Sequence, residues 1–466
     1  MSVDPDYLAQ RRLKRGDTGW FLLAVLGVSY VISGDFAGWN FGIAEAGWGG
    51  FVIASVVMAL MYLTLVLTLA ELSAAIPAAG SGYSFARQAM GASGGFFTGL
   101  AVLIEYALAP AAIVIFIGAA VEELIGINGP WVYAVFYAVF IAIHAAGVGE
   151  ALRVMLGITA LAVLAIVLTG AVLIGDFDTQ KLFDIPPTVA GGTRWLPHGW
   201  AGVWAALPFA MWLFLAVEGV PLAAEEARDP ARDVPRGIIA AMLFLLCTAT
   251  IVVVVLAGAS GASAIGDSPV PLVDALKAQH RESLARTVNV LGLAGLIASF
   301  FSIIYGYSRL VFALSRAGYL PQGLSITSGR NIPVRALVVP GLFGFAMSLT
   351  GEGDLMLAMA VVGATVSYFL MALSHVLLRL RQPELERPYR TPGGVLTSGL
   401  ALILSAIALT GVYAYDPRAF LLTVLLFLIG GAYFYLFARR RRVTLSAEEE
   451  FAMLARAENE LTQANG

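Results

Sequence analysis

Charge is scarce in this chain. Only 13% of its 466 residues are Asp, Glu, Lys or Arg, against roughly 25% in a soluble domain, which excludes an ordinary soluble globule. Cysteine is scarcer still. The lone Cys247 rules out an intrachain disulfide. Four histidines, none paired by motif, offer neither a metal cluster nor the nucleophile and base that a membrane enzyme needs. The chain is therefore expected not to be an enzyme, to bind no metal and to need no cofactor beyond a coupling ion. A net charge of −3 gives no reason to expect nucleic acid as a partner.

Apolar residues take up the space that charge leaves. They make 59% of the chain, and mean hydropathy is +0.83. A membrane span needs about 20 predominantly apolar residues, and twelve such runs lie near 20–42, 49–72, 94–121, 131–148, 154–175, 201–223, 237–261, 288–314, 334–350, 355–378, 396–415 and 419–438. The expected fold is an all-α membrane protein with the lipid bilayer as its surroundings. The first run is too long for a cleavable signal and follows a charged head, Met1 to Asp17. Basic residues set the orientation. With twelve spans, only Lys181, Arg194, Lys277, Arg281, Arg286 and Arg418 of the 28 fall on the side away from the termini, so both ends are expected in the cytoplasm. Residues 446–460 read as a short charged helix within the tail.

Asp35 is the most informative residue. It lies inside the first span, in Val31-Ile32-Ser33-Gly34-Asp35-Phe36-Ala37-Gly38-Trp39-Asn40, where a carboxylate costs roughly 2.5–3.5 kcal/mol even on lenient insertion scales. An acid there marks a functional site. The sixth span also looks interrupted, because Leu207-Pro208 through Val217-Glu218-Gly219-Val220-Pro221 combines prolines, an acid and a glycine. Each broken span opens a five-span half if the chain divides as five, five and two. Matched interruptions of this kind point to a transporter site. Gly34, Gly38 and Gly42, like Gly91, Gly95 and Gly99, are spaced by four and read as close helix packing.

Longer motifs sharpen this reading. Ile76-Pro77-Ala78-Ala79-Gly80-Ser81-Gly82-Tyr83, Ala223-Ala224-Glu225-Glu226-Ala227-Arg228-Asp229-Pro230, Ser308-Arg309-Leu310 and Arg387-Pro388-Tyr389-Arg390 resemble, in order, motifs of the amino acid–polyamine–organocation transporter superfamily. The resemblance implies a LeuT-type 5+5 inverted repeat with discontinuous first and sixth helices plus two extra C-terminal helices. Segments would be 1–18, cytoplasmic; 19–438, transporter, with repeats near 19–175 and 200–380 and extra helices near 394–438; and 439–466, a cytoplasmic tail. Transport would follow alternating access across the cytoplasmic membrane.

The first break also suggests a cargo. Amino acid carriers of this superfamily hold the substrate carboxylate on bare backbone N–H groups at a Gly-Ser-Gly-like break, whereas Ser33-Gly34-Asp35 sets a fixed negative charge there. Like charges at ~4 Å and an effective dielectric of ~20 cost about 4 kcal/mol, which disfavours an amino acid and favours a small amine. The break resembles the ethanolamine permease branch, making ethanolamine or a close amino alcohol the expected substrate. A polyamine such as putrescine, or an amino acid, is the alternative. The substrate set is Ser33, Gly34, Asp35, Phe36, Trp39, Trp212, Phe214, Ala216 and Glu218, with Trp212 offering an aromatic face to an ammonium. For Trp212, ordinary packing is the competing role. Asp35, Glu105 and Glu218 are candidates for gating or proton coupling. The resemblance puts Ala162 where many sodium-independent members carry a lysine, so a sodium site near Ser29, Ile32, Ser299 and Ser302 is the other coupling expectation.

Overall fold

The computed structural model describes residues 18–78, 80–146 and 151–441. The head to Asp17 and the expected tail helix at 446–460 lie outside the described residues. Among the described residues the regular structure is helical, as apolar surroundings demand: with no water to bond to, backbone groups must be satisfied within each segment. Nine segments among the described residues are long and apolar enough to cross a membrane: α2 (Phe41–Ala75), α3 (Gly82–Ile125), α5 (Val154–Asp176), α6 (Gly199–Glu226), α7 (Pro230–Ser260), α8 (Glu282–Arg316), α10 (Gly353–Arg381), α11 (Val395–Tyr415) and α12 (Pro417–Arg441). Three shorter apolar helices lie among the described residues as well: α1 (Trp20–Phe36), α4 (Pro130–Ala146) and α9 (Val334–Ser348).

Burial sorts these helices into layers. α3 and α10 are the most enclosed and pack along each other, while α12 shows most of its apolar side chains, Leu421, Leu425, Leu428 and Ile429 among them, to the outside. Such an exterior suits lipid.

Two turns shift the boundaries read from the sequence. Gly47 (φ 69°) and Gly91 (φ 74°) interrupt α2 and α3 in a conformation that side chains with a Cβ rarely adopt. Residues 41–46 therefore continue the first span beyond its break, and residues 82–90 form a separate helical turn before the third. Gly91 corrects its reading as a packing glycine, since nothing lies within 4 Å of where its Cβ would be. Gly99, by contrast, packs closely on Leu314, and Gly42 on Phe51.

A charge cluster ties the end of α2 to α10. Buried Glu71 accepts from Arg379 Nε at 2.7 Å and Nη2 at 2.5 Å, and from the Thr391 backbone N–H at 2.7 Å. Arg387 Nε stands 3.0 Å away and His375 Nε2 3.2 Å. Glu71 drew no functional claim from its sequence context. Its partners come from more than 300 residues downstream.

Candidate functional site

The first break unwinds α1 and is then rebonded by α8. Helix Trp20–Val31 ends, a single turn Ser33–Phe36 follows, and Ala37 becomes extended (φ −158°, ψ 153°). The freed groups find partners in hydroxyls. Ser299 Oγ donates to Ser29 O at 2.8 Å and accepts from the Ser33 N–H at 2.9 Å; Ser29 Oγ lies 2.6 Å from Ser302 Oγ and donates to Ala298 O at 3.1 Å. Ile32 O accepts from the Asp35 N–H at 3.2 Å. The four residues read as a sodium site are thus brought together at this seam. They are already bonded to one another and to the backbone, so a cation there would have to displace some of these bonds.

The second break lies between Trp212 and Val217. Pro208 opens the helical turn Leu207–Trp212, and Ala216 then adopts a left-handed conformation (φ 75°, ψ 6°), which costs a residue with a Cβ roughly 1–2 kcal/mol. Ten residues of 3₁₀ helix follow, Val217–Glu226, with Pro221 inside. Runs of 3₁₀ beyond 3–4 residues are uncommon and often mark a hinge.

The two breaks meet directly. A Cβ on Gly34 would lie 2.5 Å from Trp212 O, so only glycine lets the backbones approach this closely. The Trp212 indole donates to Ala37 O at 3.0 Å and meets the Phe116 ring edge-on. The other expected aromatics point to separate neighbours. Phe36 seats on Gly292 and Gly295, Trp39 packs on Phe51, and Phe214 lies 5.6 Å from Tyr62.

Asp35 is buried, and neither carboxylate oxygen has a hydrogen-bond partner. Thr248 of α7 approaches it, but that hydroxyl is committed to Leu245 O at 3.1 Å. No arginine or lysine pairs with Asp35 among the described residues. Glu218, just beyond the second break, is surrounded by phenols instead. It accepts from Tyr106 at 2.9 Å and from Tyr368 at 2.8 Å, and the Tyr368 hydroxyl also lies 3.2 Å from Glu105. Tyr106 and Tyr368 escaped sequence reading, because a tyrosine in an apolar span gives no local sign of its partner. Ala162 is fully buried in α5.

Ion pairs and hydrogen bonds bridge both ends of the site. On the arginine-rich face, Arg309 bonds Glu226 at 2.8 and 3.0 Å and covers the Tyr305 ring, while Arg316 bonds Glu225 at 2.9 Å. The motif acids Glu225 and Glu226 therefore lock the exit of α6 to α8. On the other face, Asn40 donates to Ile265 O, Gly266 O and Ser268 O at 2.7 to 3.1 Å, tying the first span to the segment after α7. A cavity of about 320 Å³ opens there among Glu123, Lys277, Glu282, Arg286 and Asn289. A smaller one, also bordered by Asn289, reaches Phe36.

Broken helices, apposed unwound backbone and buried acids are the parts of a solute carrier, and comparison with known families agrees. A sequence model of the amino acid permease family matches residues 19–433. The chain belongs to the amino acid permease family. This permease, a multi-pass membrane protein of the amino acid–polyamine–organocation superfamily, is 29% identical to an uncharacterized transporter of Rhizobium meliloti (strain 1021), over 88% of each chain. It is 27% identical to the branched-chain amino acid permease of Bacillus subtilis (strain 168), covering 92% of this chain and 94% of that one. With the methylthioribose transporter of the same organism identity is 26%, over 90% and 93%.

Proposed function

We propose that this permease moves a small amine lacking a carboxylate, ethanolamine or a close amino alcohol, by alternating access across the cytoplasmic membrane. The proposal includes twelve spans with both termini cytoplasmic, and two five-span inverted repeats opened by α1 and α6 and followed by α11 and α12. One observation carries the substrate reading: Asp35 sits at the α1 break with both oxygens buried and unpartnered. A buried charge without a partner is costly. An ammonium group supplies one, whereas an amino acid would bring a second carboxylate to the same place. Ser33 and Gly34 would position the solute beside the break, and Trp212, Phe214, Ala216 and Glu218 would face it from α6. Phe36, which lines the smaller cavity, and Trp39 would complete the aromatic side of the site.

A second reading has its own support. Similarity to the branched-chain amino acid permease along nearly the whole chain favours an amino acid, with Asp35 carrying a proton in place of an ammonium partner. Counterflow of labelled ethanolamine in proteoliposomes separates the two. Ethanolamine counterflow competed by choline but not by alanine, serine or leucine supports the amine; no counterflow of labelled ethanolamine beside robust counterflow of labelled leucine supports the amino acid. Putrescine outcompeting both would indicate a diamine held between Asp35 and Glu218.

A further inference from the structure

The enclosed carboxyls of Glu105 (α3) and Glu218 (α6) do not have enough donors if both are ionised. Both are buried, and no lysine or arginine bonds either one among the described residues. Glu218 uses both oxygens, one for Tyr106 at 2.9 Å and one for Tyr368 at 2.8 Å. A phenol has a single proton. The Tyr62 hydroxyl, 3.3 Å away, donates to one lone pair of Tyr368, and the Ala216 N–H, farther off at 3.4 Å, leaves the other open to a closer donor. Once Tyr368 gives its proton to Glu218, the Glu105 oxygen 3.2 Å from it faces lone pairs alone. That contact is a hydrogen bond only if Glu105 brings its own proton. Both carboxyls stand against the one Tyr368 hydroxyl, at 3.2 and 2.8 Å, and two adjacent acids cannot both ionise at low cost.

We propose that Glu105 and Glu218 share one proton through Tyr368, and that this pair couples transport to the proton gradient at one proton per cycle. The transfer is a relay. The Glu105 O–H passes its proton to the Tyr368 oxygen as Tyr368 passes its own to Glu218, and the reverse step restores the start, so atoms and charge balance without another reactant. Other titratable groups facing the pair are phenols: Tyr30 from α1, Tyr62 from α2 and Tyr106 from α3. The nearby cation on α8, Arg309, is engaged by Glu226. Glu218 rides on the strained 3₁₀ segment after the second break while Glu105 sits in continuous helix. Movement of α6 away from α3 would separate the acids, remove the repulsion that retains the proton, and release it.

This inference rests on the chain being a carrier, not on the identity of its cargo, and two measurements keep those questions apart. Infrared spectra of the purified full chain at neutral pH, without solute, should contain a protonated carboxylic acid carbonyl band that disappears in Glu105→Gln. Absence of any such difference overturns the proposal whatever is transported. In vesicles with the membrane potential clamped, a pH gradient of about one unit should drive up to about tenfold accumulation at one proton per solute, beyond protein-free controls. Labelled ethanolamine is used, with leucine in parallel. Glu105→Gln should abolish that accumulation and make the remaining counterflow insensitive to pH, while Glu105→Asp should partly restore both. Gradient-driven accumulation that persists in Glu105→Gln, or a pH profile unchanged in it, contradicts the inference.

Discussion

Glu71 and Asp35 are equally buried acids with opposite surroundings. Glu71 receives two bonds from Arg379 and one from Thr391, with Arg387 and His375 close by. Asp35 receives none. The comparison separates a charge kept for architecture from one kept for work: the first is matched by its own chain wherever it goes, and the second is matched only by something that comes and leaves. The geometry around them agrees. Glu71 pins α2 to α10 and the segment after it, whereas Asp35 sits where α1 has come apart.

Removing the matched acid should have the largest effect. Glu71→Ala strands its cationic partners, and loss of one member of a buried pair typically costs about 3–5 kcal/mol, so thermal unfolding in detergent should show a severely destabilised protein. A stability near wild type would erase the contrast. Gly34→Ala should come next. Its methyl would lie 2.5 Å from Trp212 O, and overpacking of this kind costs about 1–3 kcal/mol; transport should fall with stability because the two breaks can no longer meet.

A smaller effect sharpens the role of the aromatic beside Asp35. Trp212→Phe removes the bond to Ala37 O, worth about 1 kcal/mol, but keeps a ring face. If that face holds an ammonium, Trp212→Leu should weaken ethanolamine binding further than Trp212→Phe. Equal losses would make Trp212 a packing residue.

The smallest effect belongs to a third kind of charge. Lys277 pairs with Glu123 at 2.7 Å with both side chains about one-third exposed, and such pairs contribute about 0–1 kcal/mol. The Glu123 carboxylate raises the lysine above its ordinary value. Whatever the pair contributes is present in full below the lysine's unfolded value of roughly 10.4 and is lost as pH rises through the raised one. Lys277→Met should shift unfolding only slightly at pH 7, and the shift should fade in high salt. A large, salt-insensitive shift would mean that exposure does not weaken this pair.

These contrasts were unevenly legible in the sequence. Membrane residence followed from composition, and both breaks announced themselves through Asp35 among Ser33 and Gly34 and through Pro208, Glu218 and Pro221. Gly47 and Gly91 did not stand out as turns, because a glycine in an apolar run looks the same whether it packs a helix or ends one. The partners of Glu71 and Glu218 were hidden for a different reason. Arg379 and Tyr368 lie far along the chain, and a phenol or guanidinium carries no local mark of the acid it will meet. Ser29, Ser299 and Ser302 were grouped as sodium ligands by analogy, whereas their bonding to one another and to the unwound backbone appears only in three dimensions.

The most direct test is calorimetric titration of ethanolamine into the purified wild-type chain and into Asp35→Asn at neutral pH. The account predicts binding to the wild type and a loss of about 2–5 kcal/mol in the variant, as for truncation of one partner of a buried charge pair, with the variant's thermal stability intact. Equal affinity in the two proteins, or leucine binding in preference to ethanolamine, would contradict it.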